Sequence, residues 1–171
     1  VPQRNRYAMG NCWFVDNVEI VENANEESNA LNHIDLKTTA VTDKKFASFV
    51  ENKSTTPDPT AEIVLTKYAP NALEYKSKSN VAKTAVFSDI YYPYGWKAFI
   101  DEQPVDHFRV NYVLRALNIP EGEHNIRFVF EPDAIYKGQI LSIICLVIIF
   151  LTIVFCIVNP IIKSKGKKVS V

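Results

Sequence analysis

The sequence predicts a mainly β protein, in which an antiparallel β-sandwich is followed by one C-terminal transmembrane α-helix. Three observations lead to this prediction. Six segments between residues 62 and 130 alternate apolar and polar side chains, clusters of turn-forming residues separate them, and a long uncharged apolar run lies near the C-terminus. The composition, with 47% hydrophobic and 22% charged residues, is that of a folded chain.

The alternating segments are rich in β-branched and aromatic residues, which favour strands. They span residues 62–68, 73–77, 84–92, 96–101, 108–119 and 125–130. Short turns such as Pro93-Tyr94-Gly95 and Pro120-Glu121-Gly122 lie between them, and this short spacing is typical of a sandwich of the jelly-roll or carbohydrate-binding-module type.

The first 60 residues are less regular. We expect one strand over 13–21, a short helix over 25–31 with Asn25 as its N-cap, and a further helical turn around Phe46 to Val50. Residues 52–60 form a polar connector, which we interpret as a loop within one domain.

The apolar run extends without a charge from Gly138 to Ile162, and at helical rise it is long enough to cross a bilayer. Four lysines follow it in the last nine residues, and a lysine cluster beside a span predicts a cytoplasmic location. The predicted organisation is therefore an extracytoplasmic domain (1–137), a transmembrane helix (138–162) and a cytoplasmic basic tail (163–171). Because the chain begins at Val1 without a signal peptide, we expect it to be the C-terminal piece of a longer membrane protein.

Charge and motif content exclude several classes of protein. Without the tail lysines, 19 acidic residues exceed 15 basic ones, which argues against nucleic-acid binding. The three cysteines make no disulfide framework, and the three histidines have no metal-ligand spacing. No nucleophile elbow or phosphate-binding loop is present, so no catalytic residue, metal or cofactor is assigned.

One aromatic cluster is a candidate binding site. Its members surround a single turn and are Tyr91, Tyr92, Tyr94 and Trp96. Aromatic faces with a polar rim suit sugar rings, and candidate rim residues are Asp89, Asp101, Asn111 and Arg115. The alternative is that Tyr91 and Trp96 fill the sandwich core.

Several linked motifs resemble the C-terminal part of the YfhO family of bacterial membrane proteins, in the form of its Bacteroidetes-type members. They are Ser88 to Asp101, Arg109 to Ala116, Pro120 to His124, Phe128 to Pro132, and the upstream Gly10-Asn11-Cys12-Trp13-Phe14-Val15 and Asn23 to Glu27. One departure is Glu102, where the family often has glycine after the aspartate.

The resemblance implies a polytopic parent protein similar to glycosyltransferases of the GT-C type, which use lipid-linked sugars and decorate cell-envelope polymers. The catalytic carboxylate of that type lies upstream, so this fragment is expected to be a non-catalytic structural or glycan-acceptor-binding domain. Expected partners are the lipid bilayer, the remaining membrane part of the parent chain, and a cell-envelope glycan or lipid-linked sugar. The competing hypothesis is a single-span surface interaction module of the adhesin or receptor type.

Overall fold

A computed structural model describes residues 8–50 and 57–166 of the chain, with side chains as far as residue 159. The chain divides into two compact units, Val1–Glu131 and Pro132–Val171. We call the first the β unit. Positions 52–56 of the predicted connector and positions 167–171 of the predicted basic tail lie outside the described residues.

Eleven strands and three helices make up the described residues. In chain order they are β1 (Cys12–Val15), β2 (Asn17–Val21), α1 (Ala24–Ala30), β3 (Thr39–Asp43), a 3-10 helix (Lys44–Phe49), β4 (Glu62–Ala69), β5 (Ala72–Ser79), β6 (Lys83–Ile90), β7 (Trp96–Ile100), β8 (Gln103–Val105), β9 (Phe108–Val110), β10 (Leu114–Ile119), β11 (Gly122–Phe130) and α2 (Asp133–Gly166).

Two antiparallel sheets form the body of the β unit. The five-stranded sheet has the order β4-β5-β11-β7-β8, and the four-stranded sheet has the order β1-β6-β10-β9. The chain passes from one sheet to the other between β5 and β6, β6 and β7, β8 and β9, and β10 and β11, and β11 returns to lie beside β5. The predicted fold class, a mainly β protein with antiparallel sheets and one C-terminal apolar helix, is confirmed.

The sandwich core lies between these sheets because the alternating strands turn their apolar residues inward. Tyr75, Phe87 and Phe128 meet edge to face at its centre, with ring centroids 4.8 to 6.2 Å apart. All three are almost completely buried, together with Leu117 and Ile126. Such aromatic packing adds to the stabilisation from area burial alone.

The irregular N-terminal region forms a third layer on the outer face of the four-stranded sheet. Its parallel pair β2-β3 and the 3-10 helix cover Val86, Phe108 and Ala116. Phe49 stacks on Phe108 with ring centroids 5.0 Å apart. The four-stranded sheet is therefore buried on both faces.

Strands β3 and β8 were not predicted, and three predicted features differ clearly from the structure. The strand predicted over 108–119 is two strands, because Asn111 and Tyr112 take positive φ values of 50° and 70° and turn the chain back. The strand predicted over 13–21 is broken at Asp16, so that β1 and β2 join different sheets. Helix α1 is capped by Asn23, whose side chain accepts from two backbone N–H groups, rather than by Asn25.

The β7–β8 hairpin accommodates the departure at Glu102. Asp101 and Glu102 form a two-residue loop with φ values of 48° and 64°, as a type I′ turn requires. The Glu102 carboxylate lies 2.6 Å from the guanidinium of Arg127 on β11. Glycine is required instead at Gly95, where a Cβ atom would lie 2.6 Å from the Phe130 ring.

Helix α2 contains a candidate membrane span, Asp133–Asn159, in which an 18-residue stretch has a mean hydropathy of 3.4. Its apolar side chains are exposed all round in the described part, which is typical of a helix in lipid. Thr152 donates its hydroxyl to the carbonyl of Ile148 at 2.7 Å, so this polar group is satisfied within the helix. The helix begins at Asp133 and continues past Pro160 to Gly166.

Candidate functional site

A cleft of about 480 Å³ opens beside the turn that carries the aromatic cluster. The 3-10 helix, the segment after β6, and strands β7 and β8 form its walls. The lining residues are Phe49, Tyr91, Pro93, Trp96, Lys97, Ala98, Phe99, Pro104, Val105, Asp106 and His107. Rings and aliphatic groups dominate, and Asp106 and Lys97 add charge. This is the usual make-up of a small-molecule site.

Tyr91 and Trp96 are the two members of the predicted cluster that line the cleft. Tyr91 is half-buried and packs edge to face on Phe46 and His107, with centroids 5.6 and 5.3 Å away. Burial raises the pKa of its phenol, so the hydroxyl stays protonated. Trp96 is half-buried against Phe130 at 5.4 Å. Each ring therefore has a packed side and belongs to the wall of the cleft.

Arg115 supports the Trp96 ring from the protein interior instead of forming a rim. Its guanidinium is 1% exposed and lies between the rings of Trp96 and Phe128, at 4.5 and 4.6 Å. Burial lowers its pKa, while the charge of Asp89 opposes this shift. One nitrogen donates to the carbonyl of Ile90 at 3.4 Å, whereas Nε and Nη1 find no partner among the described residues. The rings of Trp96 and Phe128 are thus the main neighbours of this buried charge, and they stabilise it through cation–π contacts.

His107 joins Arg115 beneath the cleft, and sequence reasoning did not select it. Its ring lies 5.9 Å from that of Phe128, and its buried Nε2 has no partner in the described part of the chain. Burial, and then the positive charge of Arg115, lower its pKa to about 4. The imidazole is therefore neutral at physiological pH. No sequence signal marks it, because its neighbours come from other strands.

The other predicted residues lie elsewhere. Tyr92 and Tyr94 are 47% and 76% exposed and contact each other, with centroids 5.6 Å apart, but neither lines the cleft. Asp89 accepts a hydrogen bond from the Tyr75 hydroxyl at 3.1 Å. Asn111 is buried, and its side chain accepts from the backbone N–H of Val41 at 2.9 Å. This hydrogen bond links the β9–β10 turn to strand β3.

Asp101 lies in the β7–β8 turn, at the far end of the strand that starts with Trp96. Its carboxylate accepts from the N–H of Asn125 and lies 2.6 Å from Nδ1 of His124. Nε2 of His124 lies 3.0 Å from the carbonyl oxygen of Glu121. Both imidazole nitrogens face acceptors, so the doubly protonated ring matches this site, and the Asp101 contact raises the pKa of His124.

The contact between His124 and Asp101 predicts that the stability contributed by His124 falls as the pH rises above neutral. The pKa of His124 is higher in the folded chain than the ordinary value of about 6.5, so its contribution is complete below that value. The contribution is lost as the pH passes through the folded pKa. The half-buried, neutral His107 acts in the opposite sense, so the wild-type chain is compared with His124→Gln at each pH. We expect the urea midpoint of the wild-type chain to decrease relative to that of the variant from about pH 6 to about pH 8. An unchanged slope in that variant would contradict the assignment.

The described residues contain no group of three or more histidine, cysteine, aspartate or glutamate side chains that could hold a metal ion. Cys12 is free and half-buried, and burial raises the pKa of its thiol to about 11. A thiol with such a pKa is a poor nucleophile. The described residues offer a cleft lined mostly by aromatic and aliphatic groups.

An antiparallel β-sandwich joined to an apolar helix of spanning length is the architecture expected of a membrane-anchored domain. The family model described as Bacterial membrane protein YfhO matches residues 22–142, which is more than two thirds of the chain. The chain therefore belongs to the YfhO family of bacterial membrane proteins, and the resemblance drawn from the motifs is confirmed. Searches of curated proteins and of solved structures found no match.

Proposed function

We propose that this chain is the extracytoplasmic C-terminal domain and last membrane span of a polytopic YfhO-family protein, and that its cleft binds a cell-envelope saccharide. The parent protein, in this proposal, is a glycosyltransferase of the GT-C type that uses a lipid-linked sugar. The domain described here contributes acceptor binding or structural support and no catalytic group. The lysine-rich tail after the span supports a cytoplasmic C-terminus and hence an exported β unit.

The observation that carries the proposal is the lining of the cleft. Tyr91 and Trp96 supply two aromatic walls, on which the C–H faces of a sugar ring can pack. Asp106, Lys97 and the Tyr91 hydroxyl place polar groups at the same opening, where sugar hydroxyls need hydrogen-bond partners. Neither wall can shift freely, since Trp96 is held by Arg115 and Phe130, and Tyr91 by Phe46. A preformed site of this kind spends little binding energy on ordering side chains.

The non-catalytic role is supported by the same lining. Hydrolysis of glycosides commonly uses two carboxylates on opposite sides of the reacting bond. Asp106 is the sole carboxylate among the described lining residues, and the neutral His107 has its Nε2 buried. These residues can hold a saccharide, but they offer no acid and base pair for its hydrolysis, and in this proposal the carboxylate for transfer lies in an upstream part of the parent protein.

Trp96 provides a direct test, because the chain has only two tryptophans. In the full chain with Trp13→Phe, reconstituted in lipid nanodiscs, Trp96 is the remaining indole reporter. We expect oligosaccharides released from bacterial envelope polysaccharides to change its fluorescence saturably. Asp106→Asn should weaken binding several-fold, and Tyr94→Ser, outside the cleft, should leave it unchanged. A correctly folded chain that responds to none of these saccharides would overturn the proposal and favour a surface module for protein partners.

A further inference from the structure

The exposed apolar side chains of the β unit are concentrated at one end of the sandwich. We call it the exit end, because β11 finishes there at Phe130 and the chain passes on to α2. The β4–β5 turn lies at this end, since the N–H of Phe130 donates to the carbonyl of Asn71. The last residue of β6 and the β9–β10 turn lie there as well, because Tyr91 donates to the carbonyl of Val113 and the Tyr92 ring lies 6.4 Å from Phe130.

Eight large hydrophobic or tyrosine side chains are exposed in the described part of the β unit, and six of them are at the exit end. The two others, Ile20 and Val64, lie on β2 and β4. The six at the exit end are Tyr68, Ile90, Tyr92, Tyr94, Tyr112 and Val113. Among them, Ile90 and Tyr94 are 70% and 76% exposed. Clustered exposure of this kind marks an interaction surface.

The opposite end of the same sandwich is polar. There the β7–β8 turn and the β10–β11 turn expose Asp101, Glu102, Glu121 and Glu123. Two ends of one domain that differ so clearly in polarity are expected to meet different surroundings. The charged end suits water, whereas four tyrosines with two aliphatic residues suit a boundary that is partly apolar and partly wet.

The covalent connection identifies that boundary. Two residues, Glu131 and Pro132, separate β11 from the first residue of α2, and Lys137 is the last charge before the apolar run. Three extended steps and one helical turn amount to about 16 Å at most between Phe130 and Lys137. The headgroup layer of a bilayer is itself about 5 to 8 Å thick. This short tether allows the exit end to reach the lipid headgroups.

We propose that the exit end is a membrane-docking surface, on which the tyrosines and their aliphatic neighbours insert into the headgroup layer of the leaflet next to the β unit. Tyrosine is enriched at this depth because its ring is apolar and its hydroxyl reaches water or headgroups. Neutral lipid is expected to be sufficient, because charges that flank the surface are paired, Lys97 with Glu131 at 3.4 Å and Lys67 with Glu74 at 3.0 Å. The proposal rests on burial and connectivity and does not depend on saccharide binding.

Docking is tested by spin-label depth measurements on the full chain in phosphatidylcholine nanodiscs that hold one chain each. With the native cysteines replaced by alanine, single labels are placed at Tyr94→Cys and Ile90→Cys, with Val64→Cys and Glu121→Cys as controls. We expect the collision rate with a water-soluble nickel relaxation agent to be several-fold lower at 94 and 90 than at 64 and 121. Equal rates at all four positions overturn the proposal. Protection that is absent in these discs and appears only in discs prepared with two chains also overturns it.

A second variant separates docking from local packing. The pair Tyr92→Ser and Tyr94→Ser should return the label at position 90 to the water-exposed rate. The matched pair Ile20→Ser and Val64→Ser, which removes exposed apolar groups elsewhere, should leave that label protected. If the label at 90 stays protected without both tyrosines, the aromatic residues do not dock the domain and the proposal is wrong.

Discussion

Replacing Phe128 with alanine is expected to lower the free energy of unfolding of the β unit by about 3 to 5 kcal/mol. Phe128 is fully buried, touches Tyr75 and Phe87 edge to face, and forms one wall of the Arg115 stack. The substitution leaves a cavity and also removes a cation–π partner from a buried guanidinium. Urea unfolding of the full chain in micelles, followed by tryptophan fluorescence, measures the change.

Phe99→Ala is the matched control, on the neighbouring strand of the same sheet. Phe99 is half-exposed, and its main polar partner is the guanidinium of Arg127, 4.4 Å from the ring centroid. Such an exposed contact contributes about 0.5 to 1 kcal/mol. Equal losses for Phe99→Ala and Phe128→Ala would show that the core is not where the structure has it.

Replacing Glu27 with alanine is expected to cost about 3 to 5 kcal/mol, because it breaks a buried ion pair. The N–H of Tyr112 then loses its acceptor, and among the described residues Arg109 keeps only the more distant carboxylate of Asp43 at 3.6 Å. The Glu27 carboxylate is fully buried, lies 2.5 Å from Nη2 of Arg109, and accepts from the N–H of Tyr112 at 2.8 Å. It therefore joins α1 to the left-handed turn between β9 and β10. The same urea experiment reports the loss when it is read at Trp13 on β1, whose indole N–H donates to the carbonyl of Leu36 in the N-terminal layer.

Glu26→Ala removes the same charge from the same helix and is the control. Glu26 is exposed and bonds only near the helix start, to Asn23 and the N–H of Glu22. Exposed substitutions of this kind change stability by about 0.5 kcal/mol. If both variants lose a similar small amount, Glu27 does not anchor the N-terminal layer.

The strands of the sandwich are predictable from sequence because alternation along a strand records which face is buried. The failures have local causes. Asn111 and Tyr112 interrupt an alternating run with two left-handed residues, and neither is glycine, so the turn has little sequence signature. The run over 13–21 breaks at Asp16 because β1 and β2 join different sheets. The sheet that a strand joins depends on tertiary structure and cannot be predicted from the run itself.

The candidate site was predictable only where its parts are neighbours in the chain. Tyr91 and Trp96 stand five residues apart and were found together, whereas Phe49 and His107 reach the cleft from other elements. Arg115 occupies a polar position in an alternating strand, and sequence alone suggests a solvated rim. The structure instead buries it between Trp96 and Phe128, which only the packing of two sheets can bring about.

The proposed function requires the β unit to lie outside the cytoplasm, because an envelope saccharide is found only there. Glu121→Cys at the exposed polar end and Ser170→Cys in the lysine-rich tail give two reporters, which can be tested in intact bacterial cells with a membrane-impermeant thiol reagent. Cys12 adds little background, because burial raises the pKa of its thiol to about 11. We expect labelling at position 121 in intact cells, and labelling at position 170 only after lysis. The reverse pattern would place the β unit in the cytoplasm and contradict the proposed function.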